Sequence, residues 1–226
     1  MNVRIHKNLQ GFSLVELLVV ISIIAILLAI MIPSLTKARL HARVLVVNHE
    51  LNQIGLALEM YEMSNKDWPP VRPDCGIGAE HLYSLPPELI KGGYLPGHKD
   101  GIVLANDIED KFYKKHAYRY LAVGQTLNMY GKATSLKMNL RIPALFPSNV
   151  QSELIDCNDR KTSPIKWVVF SLGPDYDTKT LGRGFNFTNG FPIVDDFWYK
   201  PQAKKGILTR IKTRKDQHYG TFQKSK

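Results

Sequence analysis

The chain has 226 residues, of which 44% are hydrophobic and 22% charged, and its formal net charge is +10. That length holds one apolar anchor and one compact domain, and the apolar content excludes a chain disordered throughout. Its two cysteines form neither a Cys-x-x-Cys metal knuckle nor a redox dithiol, and no nucleophile elbow, phosphate-binding glycine loop or spaced His/Cys cluster marks an enzyme.

The first ten residues are polar and carry Arg4, His6 and Lys7. From Phe12 to Ile32 there follow 21 residues whose only strongly polar member is Glu16. At about 1.5 Å per residue that run crosses a hydrocarbon core of about 30 Å. A carboxylate inside such a span costs about 2.5–3.5 kcal/mol on insertion scales, so Glu16 requires a partner or a task. The small residue Gly11 precedes the apolar run, whereas a secretory signal has its small residues after it. Cleavage at Gly11 therefore leaves the anchor attached. Lys37, Arg39 and Arg43 beyond the span match the leader's charges, so charge counting does not orient it.

Gly11, Phe12 and Glu16, followed by the apolar run, resemble the class III signal of type IV pilins and type II secretion pseudopilins. The resemblance implies that a prepilin peptidase cuts after Gly11, that the new N-terminal Phe12 is N-methylated, and that Glu16 is the fifth residue of the processed chain. It also implies a cytoplasmic leader, a single-pass anchor in the inner membrane and a periplasmic head. In a fibre of packed anchors, the Glu16 carboxylate meets the Phe12 amine of a neighbouring subunit; losing one partner of such a buried pair costs about 3–5 kcal/mol.

Pro33 lacks a backbone donor and is expected to kink the helix where the span ends. Beyond it Leu35, Ala38, Ala42, Leu45, Val46, Ile54, Ala57 and Leu58 recur at three- and four-residue steps, which predicts an amphipathic continuation over 33–64. The helix should end near Met63, before Trp68-Pro69-Pro70. Pro87–Lys91, stopped by Gly92-Gly93, predicts a single short helix, and the stretch 85–96 resembles the passage from helix to sheet in major pseudopilins.

Residues 118–123, 136–142 and 167–170 read as strands, the second with apolar side chains at even numbers. The fold expected is α+β: a long transmembrane and amphipathic helix packed on a small antiparallel sheet, with a head over 65–226. Lys114, Lys115, His116 and Arg119 alternate with tyrosines; a lysine-guarded sheet edge explains this better than a nucleic-acid platform. If the head faces an oxidising compartment, Cys75 and Cys157 can pair, a bridge worth about 4 kcal/mol in the chain-entropy picture.

Ser171-Leu172-Gly173-Pro174-Asp175, then Thr188-Asn189-Gly190 and Asp195-Asp196, resemble the C-terminal region of major pseudopilins, where one calcium ion commonly binds. Asp175, Asp177, Asp195 and Asp196 can offer the oxygens Ca²⁺ requires, although Lys179 and Arg183 lie between the two pairs. From Lys200 onward nine Lys or Arg face the single acid Asp216, which reads as a solvated basic tail.

The reading is a structural subunit rather than an enzyme: a type II secretion pseudopilin that polymerises with copies of itself and other pseudopilins through its helix and works with an inner-membrane assembly platform. A type IV or competence pilin is the alternative, and a membrane-anchored periplasmic enzyme or binding protein the third reading.

Overall fold

The computed structural model describes residues 12–73, 83–100, 103–114, 116–128, 130–147, 153–174 and 187–223. The chain divides into two compact units, Met1–Ala42 and Arg43–Lys226. One helix, α1 (Leu14–Asn65), contributes residues to both.

In the first unit every described side chain from 12 to 39 is exposed. As far as Ile32, branched aliphatic residues and leucine supply most of that surface, so this part of the helix owes nothing to a core of its own and needs apolar surroundings. The helix continues without interruption through Pro33, and the Thr36 hydroxyl donates to the Pro33 carbonyl at 2.9 Å.

In the second unit α1 buries Val44, Val47, Leu51, Ile54, Gly55, Ala57 and Leu58. This stripe differs from the expected one: Leu45 and Val46 are 63% and 44% exposed, whereas Val44 and Val47 are 3% and 0%. Two adjacent faces of Val44-Leu45-Val46-Val47 are equally apolar, so periodicity alone does not choose between them. The choice is made by Glu50, Glu59 and Glu62, which bring their own side of the helix against cations from the rest of the unit. At its end the Ser64 hydroxyl and the Asn65 amide donate to the carbonyls of Met60 and Tyr61, and Lys66 turns away at φ 58°.

A four-stranded antiparallel sheet lies at the centre, built from β3 (Arg119–Leu121), β8 (Ile165–Ser171), β9 (Leu208–Thr213) and β10 (His218–Gly220) in the order β10-β9-β8-β3. Three further strand pairs form separate antiparallel hairpins: β1–β2 (Gly97–Asp100, Val103–Asn106), β4–β5 (Gly124–Leu127, Ala133–Met138) and β6–β7 (Leu140–Pro143, Leu154–Cys157). The short helix α2 (Glu88–Lys91) stands where expected, with Gly92 at its C-cap and Gly93 at φ 72°. All of β9 and nearly all of β8 are buried. On one face Trp167, Val169, Arg210 and Lys212 share rungs, and Trp167 and Arg210 lie against Gly55 of α1. A Cβ at Gly55 would fall 2.6 Å from Arg210 Nε and 3.3 Å from the Trp167 ring, so the glycine lets both approach the helix closely. On the other face Phe170 meets Phe191, which in turn meets Phe197.

Two expected features differ. The single strand over 136–142 is two strands, broken at Asn139, that belong to different hairpins. Within the basic tail, Lys200, Lys204, Lys205, Arg214 and Lys215 are exposed as expected, but Arg210 and Lys212 are buried in the inner strand β9, which edge strand β10 follows.

Candidate functional site: the capped N-terminal helix and its charged companion

Ser13 stands just ahead of α1 and closes a reciprocal cap with Glu16. The Ser13 amide donates to Glu16 Oε2 at 2.9 Å, and the Glu16 amide donates to Ser13 Oγ at 3.2 Å. This is a capping box, satisfying two of the amides that a helix start leaves without partners. Glu16 thus has one carboxylate oxygen engaged locally, while Oε1 has no hydrogen-bond partner among the described residues. The sequence reading assigned Glu16 only an intersubunit partner and passed over Ser13; the Ser-x-x-Glu spacing before an apolar run was the available signal. Phe12 is 79% exposed, while Gly11 and the leader 1–11 lie outside the described residues. The helix that follows is long and apolar enough to cross a membrane.

The second unit carries its own line of charge. Along α1, Glu50 accepts the Tyr118 hydroxyl and pairs with Lys111 at 2.9 Å; Asn52 accepts from Arg210; Glu59 meets Lys212 at 3.1 Å and His218 at 2.7 Å; and Glu62 meets Lys166 at 2.5 Å. Asp216 completes the group, 2.8 Å from Lys166 and 3.6 Å from Lys212. Burial pushes the His218 imidazole below its ordinary range, with Arg210 and Lys212 adding to the shift and Glu59 opposing it. The 2.7 Å contact alone would predict the reverse, but Glu59 is shared with Lys212, and His218 Nδ1 is buried without a partner. A proton there would be a buried, unsatisfied donor, so His218 stays neutral. Burial and the Glu50 contact together hold the Tyr118 phenol far above its usual range.

Of the pseudopilin-like C-terminal motif, the described part is structural. The Ser171 hydroxyl donates to buried Asp110 at 2.8 Å and accepts the Gly173 amide at 3.0 Å. Gly173 has φ 68°, and a Cβ there would fall 1.9 Å from the Gly206 carbonyl oxygen, so only glycine fits. Asp175 and Asp177 lie outside the described residues, while Asp195 and Asp196 open a short 3-10 turn, Asp195–Phe197. The Asp196 carboxylate is 3.6 Å from Lys200, a cation that any calcium ion would have to displace. Among the described residues no group of three or more His, Cys, Asp or Glu is placed to hold a metal.

Cys157 ends β7 as a buried free thiol; its expected partner Cys75 lies outside the described residues. Tyr118 and Tyr120 are fully buried, so neither ring is available for stacking on a ligand. The basic and aromatic stretch does form a sheet edge, but residues 83 and 84 cover that edge instead of lysines: Ser84 bridges to Arg119, and the Tyr120 amide donates to the Tyr83 carbonyl at 2.7 Å.

Residues 6–32 match the prokaryotic N-terminal methylation motif. Over 62 residues, 27% of this chain and 47% of the relative, the chain is 47% identical to the type IV wide pilus major component of Thermus thermophilus. Over 64 residues, 28% of this chain and 45% of the relative, it is 36% identical to the type II secretion system core protein G of Pseudomonas aeruginosa. The match thus spans about half the length of these relatives. No solved structure matches the chain. The motif and the two relatives support the type IV pilin and pseudopilin superfamily.

Proposed function

We propose that this chain is a structural subunit of a pilus-like fibre, and specifically a type II secretion pseudopilin that drives protein export by polymerising through α1. The observation that carries the reading is the start of α1, from Leu14 to Ile32: an almost wholly apolar surface, exposed throughout, whose one carboxylate, Glu16, caps the helix. Such a surface requires lipid before assembly and other helices after it. In this reading a prepilin peptidase removes residues 1–11 after Gly11, and Phe12 becomes an N-methylated amine. The fibre is an open, head-to-tail polymer, built at an inner-membrane platform with heads on the periplasmic side. Glu16 sets the register. Its Oε2 stays in the Ser13 cap while Oε1 accepts the Phe12 amine of the next subunit, so a slipped subunit leaves two buried charges without partners. The Ser171–Gly173 loop favours the secretion version, since it resembles the corresponding loop of major pseudopilins.

Disrupting the gene in its host tests the choice: a pseudopilin leaves exoproteins behind in the periplasm while surface fibres persist. Loss of surface fibres with secretion intact would establish instead the type IV pilus reading, which the similarity to the Thermus thermophilus pilus component favours. Replacing Gly11→Val should leave residues 1–11 on the membrane-bound chain by intact mass, whereas the wild-type chain begins at Phe12. A wild-type mass that still includes the leader overturns the processing step.

A further inference from the structure

Past the apolar span, α1 carries an uncompensated block of positive charge. Between Glu16 and Glu50 the sequence holds no Asp or Glu, yet it places Lys37, Arg39 and Arg43 there. All three side chains are exposed, and none forms an ion pair among the described residues. By contrast, Lys111, Arg141, Arg160, Lys166 and Lys212 of the second unit each meet a carboxylate.

Their depth is set by helix geometry. Lys37 follows Ile32 by five residues, about 7.5 Å along the axis, and Arg39 by about 10.5 Å. A bilayer adds about 5–7 Å of headgroups beyond each side of its hydrocarbon core, and long basic side chains reach back toward it. Lys37 and Arg39 are two positions apart, so they leave opposite sides of the helix and one reaches the headgroups at any rotation about the axis.

We propose that Lys37 and Arg39 form a collar that binds the phosphates of anionic phospholipids on the head side of the membrane. This rests on the reading of α1 as a membrane anchor. Each basic residue near an anionic surface strengthens binding about fivefold, and the whole effect weakens with salt. The collar holds the anchor at fixed depth, ready for extraction into the fibre, and must shed its lipid when the subunit leaves.

The test uses the full chain in a neutral detergent, mixed with phosphatidylglycerol or with phosphatidylcholine of matched acyl chains, and native mass spectrometry to count retained lipid. The wild-type chain should retain phosphatidylglycerol at least about tenfold better than phosphatidylcholine at low salt. The combined Lys37→Gln and Arg39→Gln variant should lose that preference, and Lys37→Arg with Arg39→Lys should keep it. A neutral variant that still prefers phosphatidylglycerol, or a wild-type chain without preference, overturns the collar. An alkaline wash of native membranes separates the two failures: a chain that stays in the pellet leaves the anchor standing, and one that is released removes both.

Discussion

The smallest functional feature of the chain is a pair of hydrogen bonds between residues three apart. Ser13 and Glu16 each satisfy the other's amide, so the side chain proposed to meet a neighbouring subunit also starts its own helix. A Ser→Ala change at an N-cap costs about 1 kcal/mol, equivalent to about a fivefold rise in the local opening population. Ser13→Ala should therefore speed amide exchange over the first turn of α1 by about fivefold in the full chain in detergent micelles, with Ser13→Thr close to wild type. Equal exchange in both variants would show that the cap does not hold the turn. Glu16 stood out in the sequence because a lone charge in an apolar run is conspicuous. Ser13 did not, because a serine near a membrane boundary is common and its role depends on a partner one turn away.

At the scale of elements, α1 in the second unit has two apolar faces and uses one. Leu51, on the covered face, is 2% exposed, and Leu45, on the other, is 63% exposed. Leu51→Ala should lower stability by about 2–5 kcal/mol, the range for emptying a packed leucine site. Leu45→Ala should change it by less than about 0.5 kcal/mol, as expected away from packed sites. Chemical denaturation of the second unit in the full chain, followed by Trp fluorescence, measures both, and similar losses would mean that the faces are wrongly assigned. The helix itself was legible from its apolar length and its Pro-Pro stop, as were the apolar strand β8 and the short α2 between Pro87 and Gly92. Strand β9 was not. Its helix-facing positions are Arg210 and Lys212, which in sequence look like a solvated basic run and in the fold are 9% and 6% exposed. Alternation identifies a strand only when its inward residues are apolar, and here they are cations matched by Asn52 and Glu59 from a helix more than 150 residues earlier.

The whole molecule shows a division of chemistry: an apolar first unit without a core, and a second unit closed around a sheet whose charges are neutralised by α1. The groups around His218 are Glu59 from the helix, Lys212 and Arg210 from β9, and Asp216 from the β9–β10 turn, with the Trp167 ring beside it. His218 titrates below the ordinary histidine range in the folded chain and at about 6.5 when unfolded. The unfolded chain then binds the proton first, so stability is complete above about pH 6.5 and falls as the pH drops through that value toward the lower folded one. The thermal midpoint should decrease between pH 7.5 and pH 5.5 in the wild-type chain and decrease less in His218→Gln. Identical slopes would remove His218 as the cause. Asp216, held low chiefly by its hydrogen bond from Lys166, adds a separate loss in stronger acid.

What the sequence determined by itself was the N-terminal third in outline and the fold class. An uninterrupted apolar run, its single carboxylate and the preceding glycine are local features whose meaning does not depend on distant residues. What only the tertiary structure decided was which face of the helix is covered, that 136–142 is two strands, and that Arg210 and Lys212 of the basic C-terminal stretch lie in a buried strand. Each of those depends on a partner remote in the chain. A lysine reads as surface until a glutamate is brought to within 3.1 Å of it, and two equally apolar helix faces differ only once a sheet lies against one of them.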